Sequence, residues 1–312
     1  MYIGIDIGGT KCAVLLGDTA DGKINIIEKI RFDTTTVEET LDKIFESVEK
    51  LISLGDCSAI GISCGGPLDE ERGVILSPPN LPGWDEIYIC DMLTERFGIP
   101  AKIRNDANAC ALTEWKFGAG RGTRNMVFFT FGTGLGSGLI IDGKLYSGTN
   151  GNAGEAGHIR LAKNGPVGFG KAGSFEGFCS GGGIAKLAKA RAQDSLKKGR
   201  PFAFAKTEEE INSITAKLIA EQANAGDPDA KKIFNTVGRK LGEGLSVIID
   251  IINPQAIVIG SIFARNENLL RPSMNRVIKR EALSPSAAVC KILPAELGES
   301  IGDIAALSVA ME

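Results

Sequence analysis

Two short glycine-rich turns carry residues that suit phosphate binding. The first reads Asp-Ile-Gly-Gly-Thr-Lys over residues 6–11, and the second reads Gly-Thr-Gly-Leu-Gly-Ser-Gly over residues 132–138. Paired glycines let backbone N–H groups approach a phosphate, while Thr10 offers a hydroxyl, Lys11 a cation and Asp6 a carboxylate for metal-bound water. An ordinary glycine hairpin between strands fits the same residues. The second turn leads into a strand, which argues against a dinucleotide fingerprint, so the two turns together point to one polyphosphate.

A carboxylate lies where a strand is predicted to end and a helix to begin, within residues 104–109. Asp106 would project from the carboxyl edge of the sheet, the usual position for ligand contacts in open α/β folds. The same residue also suits the N-cap of the helix, and taken alone the Asn-Asp pair favours the cap.

A third group of polar residues lies among many glycines. It comprises Glu155 and His158 in one segment and Glu176 in the next. Two carboxylates and an imidazole suit a polyhydroxylated ligand, because each hydroxyl both donates and accepts hydrogen bonds. Solvated polar side chains on loops would look the same in sequence.

The composition excludes several classes of protein. With 35 basic and 38 acidic residues, the net charge of -3 provides no broad cationic field for nucleic acid or anionic membranes. The single histidine excludes a site built from several histidines, and seven scattered cysteines are typical of reduced thiols. The sequence shows no signal-peptide pattern and no long apolar run. We therefore expect a soluble, cytoplasmic protein.

Hydrophobic patterns predict two α/β halves that position these residues. Residues 2–32 predict an antiparallel meander, and residues 37–52 predict a helix capped by Thr36 and Glu39. Both halves show a strand, a glycine turn, a strand and then helices, and a glycine-rich link at 118–123 separates them. The other predicted strands are at 59–64, 101–104, 256–260 and about 289–293, and the other predicted helices are at about 91–97, 106–117, 182–192, 208–225, 228–252, 268–282 and from 300.

Taken in order, the motifs resemble one family. They read GIDIGGTK, ISCGGPLD, SPPNLPGW, RNDANACALTEW, GTGLGSGLI, NGNAGEAGH and SFEGFCSGGG. This order resembles the ROK family of sugar kinases, within the actin-like and hexokinase-like ATPase superfamily. The resemblance runs from residue 2 to about 183, and residues 256–261 resemble the adenosine-side strand and turn of the family. It implies an α/β fold of the two-domain actin-like ATPase (ribonuclease H-like) type, with a ligand cleft between the domains.

The resemblance also implies a role for each matching residue. Asp106 would be the catalytic base, accepting the proton of a sugar hydroxyl as the hydroxyl attacks the γ-phosphate of ATP. Mg²⁺ would neutralise the charge on the transferring group. The smaller domain would comprise residues 1–117 with 298–312, and the larger domain residues 118–297. The implied ATP-binding residues are Asp6, Gly8, Gly9, Thr10, Lys11, Gly132, Thr133, Gly134 and Gly260. The implied sugar-side residues are Gly65, Gly66, Asn80, Asn105, Asp106, Glu155, His158 and Glu176.

One departure from the family pattern concerns a metal. Many family members hold a structural zinc with a histidine and three cysteines, and those cysteines align here with Val167, Phe169 and Ser174. Without thiolates, His158 would be the one plausible ligand of four, so no structural zinc is expected. Packing of Val167 and Phe169 would be one way to replace the metal.

The resemblance implies an ATP-dependent hexose kinase, glucokinase-like, acting on the 6-hydroxyl of glucose in glycolysis, and a homo-oligomer such as a dimer. Kinases of fructose, mannose, N-acetylmannosamine, N-acetylglucosamine or a glucoside remain alternatives. So does a polyphosphate donor. A non-catalytic sugar-binding regulator of the same family is a further alternative, although its repressors would carry a DNA-binding module before the GIDIGGTK strand. An actin-like chaperone domain is disfavoured by the NDANA and GEAGH segments.

Overall fold

The chain forms two compact α/β units. The computed structural model describes residues 1–312, apart from the side chain of Glu299. Unit 1 comprises Met1–Arg124, Gly138–Ala153 and Glu296–Glu312, and unit 2 comprises Asn125–Ser137 and Gly154–Ala295. The strands are β1 (Tyr2–Ile7), β2 (Lys11–Ala20), β3 (Lys23–Asp33), β4 (Ala59–Cys64), β5 (Leu68–Asp69), β6 (Val74–Ile75), β7 (Ala101–Asn105), β8 (Met126–Phe129), β9 (Ser137–Ile141), β10 (Lys144–Tyr146), β11 (Val167–Gly168), β12 (Lys171–Ala172), β13 (Ala256–Ile259) and β14 (Lys291–Pro294). The helices are α1 (Val37–Ile52), α2 (Ile89–Phe97), α3 (Asp106–Phe117), α4 (Phe175–Phe178), α5 (Gly181–Lys197), α6 (Glu208–Asn212), α7 (Ala216–Asn224), α8 (Pro228–Ile252), α9 (Ile262–Arg265), α10 (Glu267–Glu281), α11 (Ser284–Val289) and α12 (Ile301–Ala310).

A five-stranded sheet of order β3-β2-β1-β4-β7 forms the centre of unit 1. The first three strands pair antiparallel, which confirms the predicted meander, and β4 and β7 then add in parallel to β1. Their register aligns Ile7 with Cys64 and Cys64 with Asn105. The carboxyl ends of three parallel strands therefore lie at the same edge of this sheet.

The two faces of this sheet bury different partners, because successive residues of a strand point to opposite sides. On one face the isoleucines of β1 and β4 join the apolar residues of α1 in the main core. On the other face, Gly4 and Gly61 admit the backbone of α12. A Cβ at Gly4 would lie 2.8 Å from the Leu307 nitrogen, and one at Gly61 would overlap the Ala306 oxygen. Helix α12 thus covers the first strand.

The second sheet has the order β10-β9-β8-β13-β14. Its strands β8, β13 and β14 are parallel, with Ile257 of β13 paired to Val127 on one side and to Ile292 on the other. Helix α8 packs against α10 at short range, since a Cβ at Gly238 would lie 2.6 Å from the Leu270 oxygen. None of the helices in the described residues is both long and apolar enough to cross a membrane.

Most helix ends follow local signals in the sequence. The Thr36 side chain accepts the Glu39 N–H at the start of α1. The Asp227 carboxylate caps α8, and Asn253 ends that helix in the left-handed conformation with φ 50°. These residues confirm the predicted starts of both helices and the predicted end of α8.

Two regions differ from the prediction. Residues 208–225 form two helices, α6 and α7, because Thr207 and Thr215 each cap a separate start. Residue 289 ends helix α11, and the strand predicted from that position begins at Lys291. Helix α11 was not predicted, although Pro285 lies in its first turn, where proline is favoured.

Candidate functional site

The carboxyl edge of the unit 1 sheet brings together three of the predicted motifs. The first glycine turn follows β1, the Gly65-Gly66 pair follows β4, and Asp106 follows β7. The matched register of these strands places all three at one edge. This is where open α/β sheets place ligand contacts, because loops diverge there and helix starts point toward the edge.

Backbone contacts fix the first glycine turn. The Gly8 N–H donates to the Lys11 oxygen at 3.1 Å, and the Thr34 hydroxyl donates to the Gly8 oxygen at 2.6 Å. A Cβ at Gly9 would lie 2.5 Å from the Asn80 oxygen, so this position requires glycine for close packing. The side chains of Thr10 and Lys11 are exposed. The turn therefore presents a hydroxyl and a cation to solvent, directly beside Asn80.

The junction of β7 and α3 places Asp106 differently from a helix cap. Asn105 is the N-cap residue, and its side-chain oxygen accepts the Ala107 N–H at 3.0 Å. Asp106 is the first residue of α3, and its carboxylate accepts the same N–H at 2.8 Å. The alternative that Asp106 is the N-cap is therefore wrong. The Asp106 side chain remains accessible to solvent. Gly66 lies next to this junction, since an added Cβ there would be 3.2 Å from the side-chain amide nitrogen of Asn105.

Two carboxylates at this edge have raised pKa values. The pKa of Asp6 is raised to about 6, chiefly by removal from water and also by the nearby charges of Asp303 and Asp106, while Lys29 and Arg31 act to lower it. Desolvation also raises the pKa of the Asp106 carboxyl, an effect opposed by the hydrogen bond from the Ala107 N–H. A raised pKa makes each carboxylate a better proton acceptor than an ordinary aspartate.

The carboxyl edge of the unit 2 sheet carries the second glycine turn. The Thr130 N–H donates to the Gly136 oxygen at 2.9 Å, and the Gly132 N–H donates to the Gly134 oxygen at 3.0 Å, which closes the turn. The Gly260 N–H donates to the Phe129 oxygen, so the turn after β13 lies beside the second glycine turn. Gly132, Thr133, Gly134 and Gly260 are thus brought together. Helix α5 also begins there, because the Gly181 N–H donates to the Gly132 oxygen.

Glu176 links the second glycine turn to the segment of Glu155 and His158. One oxygen of its carboxylate accepts the Leu135 N–H at 3.1 Å. A Cβ at Gly157 would lie 3.5 Å from the Glu176 Cβ, so the short 3₁₀ helix Ala156–His158 packs against Glu176. The side chains of Glu155 and His158 are exposed. Unit 2 therefore gathers the three polar residues that the sequence singled out.

The hairpin of β11 and β12 occupies the place of the zinc segment. Phe169 at its tip is 76% exposed and Val167 is 42% exposed, so the two do not form a buried apolar cluster in place of a metal. Phe169 does contact His158 edge-on, with 6.2 Å between the ring centroids. Two lysine ammonium groups also donate to backbone oxygens of this region, Lys186 to Val167 and Lys171 to His158, both at 2.8 Å. No group of three or more His, Cys, Asp or Glu in the described residues could hold a metal ion. The absence of zinc stays a prediction.

Some residues of the unit 1 edge were not predicted. Asp303, in the first turn of α12, contributes to the raised pKa of Asp6 and forms an ion pair with Lys29 at 2.5 Å. Glu70 and Asn108 surround the Asn105 turn. Asp303 and Glu70 belong to no recognisable motif, whereas Asn108 lies in the NDANA segment without an assigned role. Only the approach of distant segments in the fold places Asp303 and Glu70 here.

Comparison with known proteins decides the family. The model of the ROK family matches residues 2–312. This chain belongs to the ROK family. A glucokinase of Streptomyces coelicolor is 32% identical over 315 residues, covering 100% of this chain and 98% of that protein. A xylose repressor of Caldicellulosiruptor bescii is 28% identical, covering 90% of this chain and 70% of the repressor.

A solved structure gives the same result for the fold. The ROK glucokinase of Streptomyces griseus, in complex with glucose and AMPPNP, superposes with a TM-score of 0.78 at 32% identity, covering 99% of each chain. The predicted α/β, two-domain actin-like ATPase fold is confirmed. These relatives support a sugar kinase, and the family also contains regulators.

Proposed function

We propose that this ROK protein is an ATP-dependent hexose kinase that transfers the γ-phosphate to a sugar hydroxyl, with the 6-hydroxyl of glucose as the expected acceptor. One observation carries the proposal. The accessible Asp106 carboxylate lies at the same sheet edge as the glycine turn that presents Thr10 and Lys11. A proton acceptor beside a phosphate-binding turn is what phosphoryl transfer to an alcohol requires.

In the proposed mechanism Asp106 accepts the proton of the sugar hydroxyl as its oxygen attacks the γ-phosphorus. A new O–P bond forms, the bond to the β-phosphate oxygen breaks, and ADP leaves. The two glycine turns bind the phosphates through backbone N–H groups, and the Lys11 ammonium balances their negative charge. Asn105 keeps the start of α3 in place by capping it, so the Asp106 carboxylate stays at the sheet edge. The proposal also keeps the expected division into a smaller domain, residues 1–117 with 298–312, and a larger domain, residues 118–297.

The remaining predicted residues bind the sugar in this proposal. Asn80, Asn105 and the backbone at Gly66 offer donors and acceptors in unit 1. Glu155, His158 and Glu176 offer them in unit 2. Carboxylates, amides and an imidazole match the paired donor and acceptor character of hydroxyl groups. A cytoplasmic homo-oligomer, expected from the family, is part of the same proposal.

Magnesium fits the donors at the first glycine turn. Asp6 is the penultimate residue of β1, and its carboxylate lies beside Gly302, where an added Cβ would be 3.6 Å from one carboxylate oxygen. Mg²⁺ prefers oxygen ligands and is usually held by one or two carboxylates, water and substrate phosphates. Asp6 is the residue that would hold it. When bound, the ion supplies neutralising charge to the phosphates.

The regulator alternative rests on the similarity to the xylose repressor. The kinase is favoured because Asp106 and both glycine turns are present, and because Asp106 and the first turn lie at the same sheet edge. A coupled assay of ADP release with ATP and magnesium tests the choice against glucose, mannose, fructose, N-acetylglucosamine and N-acetylmannosamine. We expect turnover with at least one hexose, glucose first. Saturable sugar binding without turnover, with either ATP or polyphosphate as donor, would support the regulator and contradict the kinase.

The rate should fall on acidification at a higher pH than for an ordinary aspartate. Asp106 accepts a proton only in its charged form, and its pKa is raised above the usual 3.8. As the pH falls through that raised pKa, the active fraction decreases, and kcat/KM for the sugar should fall with it. Initial rates across pH at constant ionic strength, with circular dichroism to confirm folding, measure the profile. A flat profile down to the range of an unperturbed aspartate would contradict the assignment.

A further inference from the structure

Glu70 is a buried carboxylate next to the candidate base that no motif accounts for. It follows strand β5, and its side chain is only 8% exposed. Each of its two carboxylate oxygens accepts hydrogen bonds from two donors. The four donors are the Asn105 N–H at 2.9 Å, the Asn108 side-chain amide at 3.3 Å, the Arg104 guanidinium at 3.0 Å and the Ser147 hydroxyl at 3.2 Å.

One oxygen of Glu70 accepts hydrogen bonds from residues on both sides of Asp106 in the chain. The Asn105 N–H comes from the residue before Asp106, and the Asn108 amide comes from the first turn of α3. Asn105 in turn caps that helix. The direction in which α3 leaves the sheet, and with it the position of the Asp106 carboxylate, is therefore tied to Glu70.

The other oxygen ties Glu70 to a wider network in unit 1. Arg104, the residue before the cap, forms ion pairs with both Glu70 and Glu312, at 3.0 and 2.8 Å. The guanidinium balances the carboxylate charge that burial would otherwise disfavour. Ser147 adds a hydrogen bond from the loop after β10. Glu70 is thus held from its far side and cannot turn away from the Asn105 turn without breaking these bonds.

The Asn108 side chain is buried, and only its NH₂ group, which donates to Glu70, has a hydrogen-bond partner in the described residues. Its side chain is 2% exposed, and its amide oxygen has no hydrogen-bond partner in the part of the chain that the structure describes. A buried polar atom without a partner is unfavourable, and such atoms are rare in folded proteins. The amide keeps its NH₂ group on Glu70 even so.

We propose that Glu70 is a positioning residue for catalysis, holding the Asn105–Asp106 turn so that the Asp106 carboxylate meets the sugar hydroxyl in line. The inference rests on the proposed kinase function. Glu70 acts through Asn105 and Asn108 and does not touch the substrate. Loss of such positioning lowers the rate of the chemical step, because small displacements of a catalytic group are costly, while ATP binding at the glycine turns is unaffected.

Glu70→Ala, Glu70→Gln and the matched control Glu71→Ala test the inference. Glu71 is the next residue, carries the same charge and is exposed. We expect Glu70→Ala to lower kcat by about 10- to 100-fold, with KM for ATP within about twofold of the wild type. Glu70→Gln keeps one acceptor oxygen and should lose less, about three- to tenfold. Glu71→Ala should match the wild type. Amide hydrogen exchange at residues 105–108 should be faster in Glu70→Ala than in Glu71→Ala.

The outcomes separate the two proposals. If the wild type is active and both folded Glu70 variants keep kcat within about twofold, the positioning role is wrong and the kinase stands. A loss seen only in KM for ATP also overturns the positioning role. If Glu70→Ala does not fold, the partial loss of kcat in Glu70→Gln decides the matter alone. Inactivity of the wild type with every sugar overturns both proposals.

Discussion

Replacing Asp106 by asparagine should lower kcat by about 100- to 10,000-fold, because the amide cannot accept the proton of the attacking hydroxyl. The substitution keeps size and hydrogen bonding. Asn105 still caps α3, since its own side chain accepts the Ala107 N–H. The loss should therefore appear in kcat, with little change in KM for ATP. Steady-state kinetics with saturating ATP and varied sugar measure it.

Asp91→Asn is the matched control for this experiment. Asp91 is an exposed aspartate in the first turn of another helix of unit 1, α2, so the same change in charge and shape is made at a residue that is not proposed to bind ATP or sugar. It should leave kcat unchanged. Near-normal kcat in Asp106→Asn would remove Asp106 from the mechanism and leave the kinase proposal without its central observation.

Replacing Gly61 by alanine should destabilise unit 1 by about 3 kcal/mol, near the upper end of the usual cost of overpacking. The new Cβ would overlap the Ala310 nitrogen and the Ala306 oxygen, and it would lie 2.9 Å from the Val309 carbonyl carbon. These are backbone atoms of a helix, so no side-chain rotation can relieve the clash. The sheet and α12 must separate or shift as a whole.

Urea unfolding followed by tryptophan fluorescence measures this loss selectively. The chain has two tryptophans, Trp84 and Trp115, and both lie in unit 1. Gly182→Ala is the control: the added Cβ would meet only the Thr133 oxygen at 3.9 Å, and alanine favours a helix. We expect a lower urea midpoint for Gly61→Ala than for the wild type, and an unchanged midpoint for the control. Equal midpoints in all three proteins would show that α12 does not constrain this strand.

Much of the fold follows from local signals. The alternation of β1 and β4, the apolar stripe of α1 and the capping residues Thr36 and Asp227 each act over a few positions, so the sequence displays them directly. The break between α6 and α7 was missed because one periodic stripe runs through both helices. The extra threonine cap at Thr215 was the signal that distinguished them.

The candidate site was predictable only where its residues belong to motifs. The glycine turns and the NDANA segment carry their own chemistry in consecutive positions. Glu70 and Asp303 act on those motifs from elements far away in the chain, at separations of 35 residues from Asn105 to Glu70 and 274 from Lys29 to Asp303. Such contacts exist only once sheet register and helix docking are fixed. Phe169 shows the reverse case, since its apolar side chain suggested packing and the hairpin turns it outward.

Helix α12 lies far along the chain from the strands that it covers, and this affects how the protein folds during synthesis. During synthesis, β1 and β4 leave the ribosome about 240 residues before residues 301–310, which cover one face of their sheet. At about 5–20 residues per second, that face waits roughly 12 to 50 s for its helix. Until then Ala13 and Leu15 lack Leu307, the buried residue with which they pack in the finished protein. A cell making this protein must therefore keep that surface from aggregating, and a message cut short before α12 yields a client for chaperones and proteases.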